Sequence, residues 1–403
     1  MATLNWKIFG VLFFSLFTAV TGVGIVVPLL PVYAHELGAG GFAIGLIFGS
    51  FSLSRTFSLS YFGKKSDEHG RRPYIVSGLL AYTLISLAFM LSSSVTALIV
   101  IRFFQGIASA MMMPVIQAYV GDITPPGREG TTMGLFNVAM FFGLSIGPVL
   151  GGYIHDLFSL DTAFFCMGLL AGASFLLSVC LLPPTRSEKV VVVAAQIVPW
   201  RRLMADRDII GQFAIRFAYA ACIGVIWGFL PILATTNLNL SSSTVGFLVM
   251  IGIFISGVLH FPMGTLADRT NKNVLVIIGG LVGALGVFLF NWAESFQALL
   301  AANILFGVGG GIATPALMAL VVIKGNEHRA MGSIMSLLTM GHSLGMLTGS
   351  MAAGLMMDIA GLRQAFLLGG VLMTAAVVLF VLCVEKTGSS DSRVLPERNF
   401  PSE

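Results

Sequence analysis

The sequence predicts an all-α membrane protein with twelve transmembrane helices in two six-helix bundles. Of its 403 residues, 56% are hydrophobic and only 10% are charged, whereas soluble proteins carry about a quarter charged residues. The hydrophobic residues fall in long runs, and one membrane crossing needs roughly 20 of them. Short patterns in the first half of the chain also return in the second half. These three observations together favour a duplicated helical membrane fold.

Twelve runs have the length and composition of a membrane span. Several contain Gly or Pro, which favours tilted or kinked helices. The predicted spans, in chain order, are residues 8–34, 42–62, 74–93, 96–119, 131–154, 162–182, 209–235, 244–266, 274–292, 296–322, 329–358 and 363–384.

The basic residues predict the orientation of these spans. Nearly all of the 22 Lys and Arg residues fall in loops on one side. Arg363 lies on the other side, and Arg55, Arg102 and Arg216 lie inside spans. Lys and Arg concentrate in cytoplasmic loops. We therefore expect a multi-pass protein of the cell (inner) membrane with both termini in the cytoplasm.

Repeated motifs predict the division into two bundles. The segment "GKKSD" at 63–67 is answered by "GTLAD" at 264–268. Equally oriented halves are typical of parallel repeats about an axis along the membrane normal. The predicted organisation is an N-terminal bundle at 1–182, a cytoplasmic linker at 183–208, a C-terminal bundle at 209–384 and a disordered cytoplasmic tail at 385–403.

A charged motif follows span 2, with "GKKSDEHGRR" between two apolar runs. It resembles the signature of the major facilitator superfamily, and the matching residues are Gly63, Asp67, Gly70, Arg71 and Arg72. The second copy keeps Gly264, Asp268 and Arg269 but lacks the second Gly and the Arg pair. We interpret the motif as a tight turn whose charges hold one bundle against the other, with Asp67 at the N-terminus of span 11. A solvated loop that serves only topology is the alternative.

The stretch "RFFQGIASAMMMP" places an arginine inside span 4. Arg102, Gln105 and Met113 share one helical face with Ser109. A charge at membrane depth costs on the order of 3 kcal/mol, so it usually meets a partner or an aqueous cavity. In the family that the chain resembles, this pattern lines the central pathway and is associated with proton coupling. A structural arginine bonded to backbone carbonyls is the alternative.

A glycine-rich motif, "GLSIGPVLGG", lies in span 5. It resembles the antiporter motif of the twelve-span drug:proton antiporter branch of the superfamily. Asp122 and Arg128, in "GDITPPGREGTTMG", also fit that branch. Glycines four residues apart form a smooth face for close helix packing, and Pro adds a bend. The motif residues are Gly143, Gly147, Pro148, Gly151 and Gly152, and the second copy has Gly341, Gly345 and Gly349 with Met346 in place of the proline.

Other polar residues inside spans are further candidates for the substrate or proton pathway. Each can instead form a hydrogen bond between two helices. They are Arg55, Asn137, Arg216, Tyr219, Trp227, Asn303 and His342. No Asp or Glu lies in the middle of a predicted span. The central site should therefore carry positive charge and favour a neutral or anionic substrate.

The resemblance implies a secondary active transporter that exports a small amphipathic drug or metabolite, with protons as the coupling ion. We expect a monomer in the lipid bilayer without cofactor, metal or nucleic acid. The sequence carries no nucleophile–base pair and no phosphate-binding loop, so we do not expect an enzyme. Two alternatives remain open: a uniporter or importer of a specific metabolite or lipid-like anion, and a transporter-like membrane sensor.

Overall fold

The computed structural model describes residues 4–125, 128–184, 203, 205–328 and 330–384. Within these residues, twelve helices are long and apolar enough to cross a membrane. The twelve predicted spans are thus confirmed, with ends that differ by a few residues. The predicted tail at 385–403 and most of the predicted linker lie outside the described residues.

The N-terminal half contains the first six helices. They are α1 Trp6–Glu36, α2 Gly41–His69, α3 Arg72–Met90, α4 Val95–Asp122, α5 Glu129–Leu157 and α6 Leu160–Leu181.

The C-terminal half contains the other six helices. They are α7 Arg207–Ile232, α8 Ser242–Arg269, α9 Lys272–Leu289, α10 Phe296–Glu327, α11 Met331–Ala360 and α12 Leu362–Cys383. A π-helical turn, Leu233–Asn237, extends α7, and a 3-10 turn, Phe290–Trp292, extends α9.

An even number of crossings places the start of α1 and the end of α12 on one side of the bundle, here called the terminal face. The opposite side is the distal face. Short loops connect the helices there, and the loop Leu37–Gly40 joins α1 to α2. Ser94, Ser159, Ser241 and Ser295 accept a hydrogen bond from the first turn of α4, α6, α8 and α10. These caps satisfy backbone groups that a helix start leaves unpaired.

The turn predicted between spans 2 and 3 is shorter than expected. Gly63 lies inside α2, which continues to His69. Only Gly70 breaks the helix, with a φ of 89° that residues with a side chain rarely adopt. Gly264 likewise lies inside α8, which ends before Thr270 in an extended conformation. The prediction of a tight turn that begins at Gly63, after a span ending at residue 62, was wrong, because charged residues after an apolar run can prolong a helix beyond the membrane.

The glycine motif of α5 packs against α1. A Cβ atom on Gly147 would lie 2.5 Å from the Thr21 carbonyl oxygen, and one on Gly151 would lie 2.9 Å from the Ile25 Cα. In the C-terminal half, Gly341, Gly345 and Gly349 of α11 approach α7 in the same way. Both halves therefore use one glycine face on their fifth helix to bring the backbone of their first helix close.

This packing gives a stability prediction for Gly147→Ala. The added methyl group would meet α1 backbone that cannot move away, and overpacking of this kind costs about 1–3 kcal/mol. Purified Gly147→Ala should therefore melt at a lower temperature than the wild-type protein. Gly134→Ala on the same helix is the control, because a Cβ atom there has nothing within 4 Å. Equal melting temperatures for the two variants would contradict the packing argument.

Candidate transport pathway and distal gate

The two halves meet at the distal face through two crossed helix pairs. The second helix of each half packs against the fifth helix of the other, so α2 pairs with α11 and α8 pairs with α5. Small residues allow the close approach: Gly41 and Gly45 lie against Gly354 and Ser350. The hydroxyl of Ser350 also donates to the Gly45 carbonyl oxygen at 3.0 Å.

Two aspartates join the halves across these helix pairs. The carboxylate of Asp358, at the distal end of α11, accepts hydrogen bonds from the backbone N–H groups of Gly41 (2.6 Å) and Phe42 (2.8 Å). The carboxylate of Asp156, at the distal end of α5, accepts from Ser242 (3.0 Å) and Ser243 (2.8 Å). Each aspartate thus caps the N-terminus of a helix in the other half, where a negative charge is stabilised. We call this pair of caps the distal gate.

The halves separate toward the terminal face. Gly41, Gly45 and Gly49 of α2 are buried against α11. Leu53 and Ser60 lie on the same helical face, about one and three turns after Gly49, and both are exposed. The space between the halves is therefore closed at the distal face and accessible from the terminal face.

Three basic side chains lie at one level of the helix pairs, just beyond the gate contacts on the terminal side. In the antiparallel pair α2–α11, Gly45 meets Ser350 and Gly49 meets Leu347, a register that brings Arg55 opposite His342. In the parallel pair α7–α11, Gly345 meets Phe217. That register puts Arg216 within one turn of His342.

Several polar atoms of these side chains have no hydrogen-bond partner in the described part of the chain. The Arg55 Nε, the Arg216 Nε and the His342 Nδ1 are buried without a hydrogen bond among the described residues. The same holds for Oε1 of Gln212, which is 2% exposed and lies one turn before Arg216. Buried polar groups normally find a partner. This polar cluster, formed by Arg55, Gln212, Arg216 and His342, is therefore equipped to bind a polar group from outside the chain.

Arg102 is held by its own half. It is 3% exposed, and its Nη1 donates to Gln105 Oε1 at 2.7 Å. Its guanidinium group lies over the rings of Phe51 (4.4 Å) and Phe48 (5.2 Å) of α2. These cation–π contacts stabilise a desolvated charge. These contacts fit the interpretation of Arg102 as a structural arginine better than the interpretation as a residue that lines the central pathway.

The charged motif at the terminal face forms an ion-pair network within the N-terminal half. Arg71 pairs with Asp67 and donates from Nε to Asp122 at 3.1 Å. Arg72 donates to the Val179 carbonyl oxygen at 2.6 Å. Asp67 forms its ion pair with Arg71 rather than the expected contact with the start of α11. This placement fits a conformation in which the terminal ends of the halves are apart.

The other candidates occupy several environments. Asn303 is buried and donates to the Leu248 carbonyl oxygen, so it joins α10 to α8 instead of facing the other half. Tyr219 stacks on Phe306, with ring centroids 5.2 Å apart. Met113 accepts a weak hydrogen bond from Ser109. Trp227 is partly buried, and Asn137, Arg128, Asp268 and Arg269 are exposed.

The family model for the Major Facilitator Superfamily matches residues 12–224 and 210–402. The chain belongs to the Major Facilitator Superfamily. It is also 30% identical to an MFS-type transporter of Methanocaldococcus jannaschii, over 96% of this chain and 100% of that protein. It is therefore a multi-pass membrane transporter, as the motifs of the sequence predicted.

Relatives in bacteria assign this transporter to the drug-efflux type. Multidrug resistance protein 1 of Bacillus subtilis is 25% identical over 87% of this chain and 89% of its own length. The quinolone resistance protein NorA of Staphylococcus aureus is 29% identical over 44% of this chain and 46% of its own length.

Solved structures share the fold. The nucleoside transporter NupG superposes with a TM-score of 0.75 at 13% identity, over 94% of this chain and 99% of that chain. A bacterial homologue of the lysosomal transporter Spinster, in an inward-facing and occupied conformation, gives 0.77 at 14% identity, over 94% and 97% of the two chains. Identities this low show the twelve-helix fold alone.

Several residues of this MFS transporter escaped the sequence analysis. Asp156 and Asp358 resemble ordinary acidic residues at span ends, and Gln212 is a single amide in an apolar run. Each aspartate lies four residues after a glycine that packs against the other half, Gly152 or Gly354. The offset of 202 between the aspartates differs from the offset of 198 between the glycine motifs of the same helices, so alignment of the repeats does not pair them.

The distal gate predicts the behaviour of Asp156→Asn and Asp358→Asn. An amide offers one acceptor oxygen without charge, so it cannot accept both backbone N–H groups as the carboxylate does. Each variant should populate conformations in which the distal face opens, and the double variant more so. Spin labels at Leu91 and Trp292, both exposed at the distal ends of α3 and α9, report this opening as a longer distance in double electron–electron resonance.

Asp161→Asn is the matched control for the gate. Asp161 is also an exposed acidic residue at the distal face, in the first turn of α6. Its replacement should leave the distance distribution as in the wild-type protein. A double variant of Asp156 and Asp358 with an unchanged distribution would show that the caps do not close the distal face.

Proposed function

We propose that this transporter exports a small amphipathic compound by alternating access, in exchange for protons, with its terminal face in the cytoplasm of the cell (inner) membrane. The observation that carries the proposal is the distal gate together with the separation of the halves beyond Leu53. A conformation closed distally and accessible from the terminal face can load substrate from the cytoplasm. The names of the bacterial relatives support export as the direction of transport.

The gate also supplies a mechanism for the return step. Breaking two capped contacts at the distal face lets the halves rock, while the terminal ends come together around the charged motif of α2. Asp67, now paired with Arg71, would then be free to cap the start of α11, in the way that Asp358 now caps α2. The two faces would thus be held by the same kind of interaction in alternate states.

His342 is the proposed proton carrier. An unperturbed histidine changes charge near neutral pH, and the carboxylates of the described spans lie near the helix ends. The Nδ1 of His342 has no protein partner among the described residues, so proton binding breaks no hydrogen bond there. The Asp122–Arg71 pair at the terminal face is the second candidate for this role.

Transport into inverted membrane vesicles tests this function. Inverted vesicles should accumulate substrate when their lumen is acidified. Export runs into the lumen of such vesicles, and the protons that leave the lumen drive it. His342→Gln should abolish the response to the pH gradient while retaining exchange of substrate between equal concentrations. His35→Gln, an exposed histidine at the distal end of α1, is the control. Accumulation in right-side-out vesicles would refute export as the direction of transport. A response to the pH gradient that survives in His342→Gln would refute the role of His342 as the proton carrier.

Facilitated exit of an anion is the second candidate function. The basic residues of the polar cluster, without a carboxylate in the span centres, favour it. A potential negative inside the cell drives one negative charge outward with about 2.3 kcal/mol per 100 mV. Inverted vesicles with an acidic lumen and the membrane potential clamped at zero separate the two functions, because the proton antiporter would then accumulate substrate and the anion uniporter would not.

A further inference from the structure

We infer that the polar cluster binds the anionic head group of an amphiphile whose apolar tail lies between α5 and α8. This inference rests on the proposed function and specifies its substrate class. It combines three observations: basic side chains from both halves at one level, buried polar atoms without partners among the described residues, and an apolar cavity between α5 and α8.

The first observation concerns charge. Arg55 belongs to α2 in the N-terminal half, whereas Arg216 and His342 belong to the C-terminal half. The charges of Arg216 and Arg55 both act on His342, and that of Arg216 also acts on His260 of α8. Tyr82 lies beside Arg55 and Arg102, and Tyr219 lies beside Arg216.

No carboxylate pairs with any of these basic groups among the described residues. Like charges brought together at low dielectric repel one another. A bound anion relieves this repulsion, whereas a bound cation adds to it.

The second observation concerns hydrogen bonding. The unpartnered Nε atoms of Arg55 and Arg216 can donate to the oxygens of a phosphate or sulfonate. The carboxamide oxygen of Gln212, buried one turn from Arg216, accepts from a hydroxyl on the same head group. The two arginines come from different halves, so a bound anion bridges the moving parts of the transporter.

The third observation is a cavity of about 490 Å³ between α5 and α8. Its lining is almost wholly apolar and includes Val138, Phe142, Ile146, Phe254 and Val258. This volume is in the range of pockets that hold small-molecule ligands. Phe142 and Val258 of this lining are exposed, so the cavity is open at the surface of the protein.

Phe141 connects the cavity to the charges. Its ring lines the cavity and lies 5.4 Å from the ring of His260, centroid to centroid. His260 in turn lies within reach of the Arg216 charge. An amphiphile can therefore place its charged end at the polar cluster and its tail in the cavity at the same time. Charge complementarity thus selects an anionic amphiphile as the occupant, over a neutral lipid chain.

Equilibrium binding of alkyl phosphates tests the inference without any gradient. The purified transporter is placed in nanodiscs of zwitterionic lipid, with empty nanodiscs as the background. Octyl phosphate should bind more tightly than octyltrimethylammonium. The lengthening from hexyl to octyl phosphate should tighten binding by about tenfold, since both added methylenes are buried.

Variants assign the two ends of the ligand. Arg55→Gln and Arg216→Gln should each weaken octyl phosphate binding about tenfold or more, as expected for a lost charged hydrogen bond, and Arg216→Lys should restore part of it. Arg207→Gln, an exposed arginine at the start of the same helix, is the control. Ile146→Trp should fill part of the cavity and remove the dependence on chain length, while butyl phosphate still binds.

Three results would overturn the inference. They are tighter binding of the cation, equal binding by Arg216→Gln and Arg207→Gln in monodisperse protein, and the absence of a chain-length dependence. Displacement of octyl phosphate by phosphatidylglycerol, with no transport of octyl phosphate in proteoliposomes, would assign the site to a membrane lipid and also overturn it. Each of these outcomes leaves export of other compounds into inverted vesicles intact, so failure here is distinguishable from failure of the proposed function.

Discussion

The capping of a helix in one half by a carboxylate from the other half is the interaction on which the rest of this structure depends. Asp358 caps α2 and Asp156 caps α8. Each carboxylate accepts hydrogen bonds directly from two backbone N–H groups, so the contact is short and directional. Small residues along α2 and α5 let the helices approach closely enough for it. The distal closure, and with it the shape of the space between the halves, follows from these two contacts.

The placement of charge divides the interior into two environments. Arg102 is stabilised inside the N-terminal half by aromatic rings and Gln105. Arg55 and Arg216 keep unpartnered donors where the halves face each other. A buried donor without a partner destabilises the protein. A role in ligand binding therefore explains these two arginines better than a structural role does. The same reasoning explains why Asn303, whose amide is satisfied by a neighbouring helix, is a weaker candidate for the pathway.

The amino-acid sequence was sufficient for the fold, because span length, the Lys and Arg asymmetry and the glycine faces are local or periodic signals. Gly143, Gly147 and Gly151 could be predicted to pack closely, and their contacts with α1 agree. The gate could not be predicted, because the contact of Asp358 with Gly41 depends on the register between helices of different halves. The extent of α2 was also misjudged, since the predicted span ends at residue 62 and the helix continues to His69. Which face is open depends on the relative stability of the contacts at the distal face and at the terminal face, and no local sequence pattern encodes that difference.

The accessibility of single cysteines on the α2 face tests the central claim most directly, namely that the space between the halves opens at the cytoplasmic, terminal face and is closed distally. Cysteines at Leu53 and Ser60 are exposed positions on this face, and Gly49 marks the point where it becomes buried. A membrane-impermeant maleimide should label both cysteines rapidly in inverted vesicles and slowly in right-side-out vesicles. Faster labelling of Leu53→Cys in right-side-out vesicles would contradict the account.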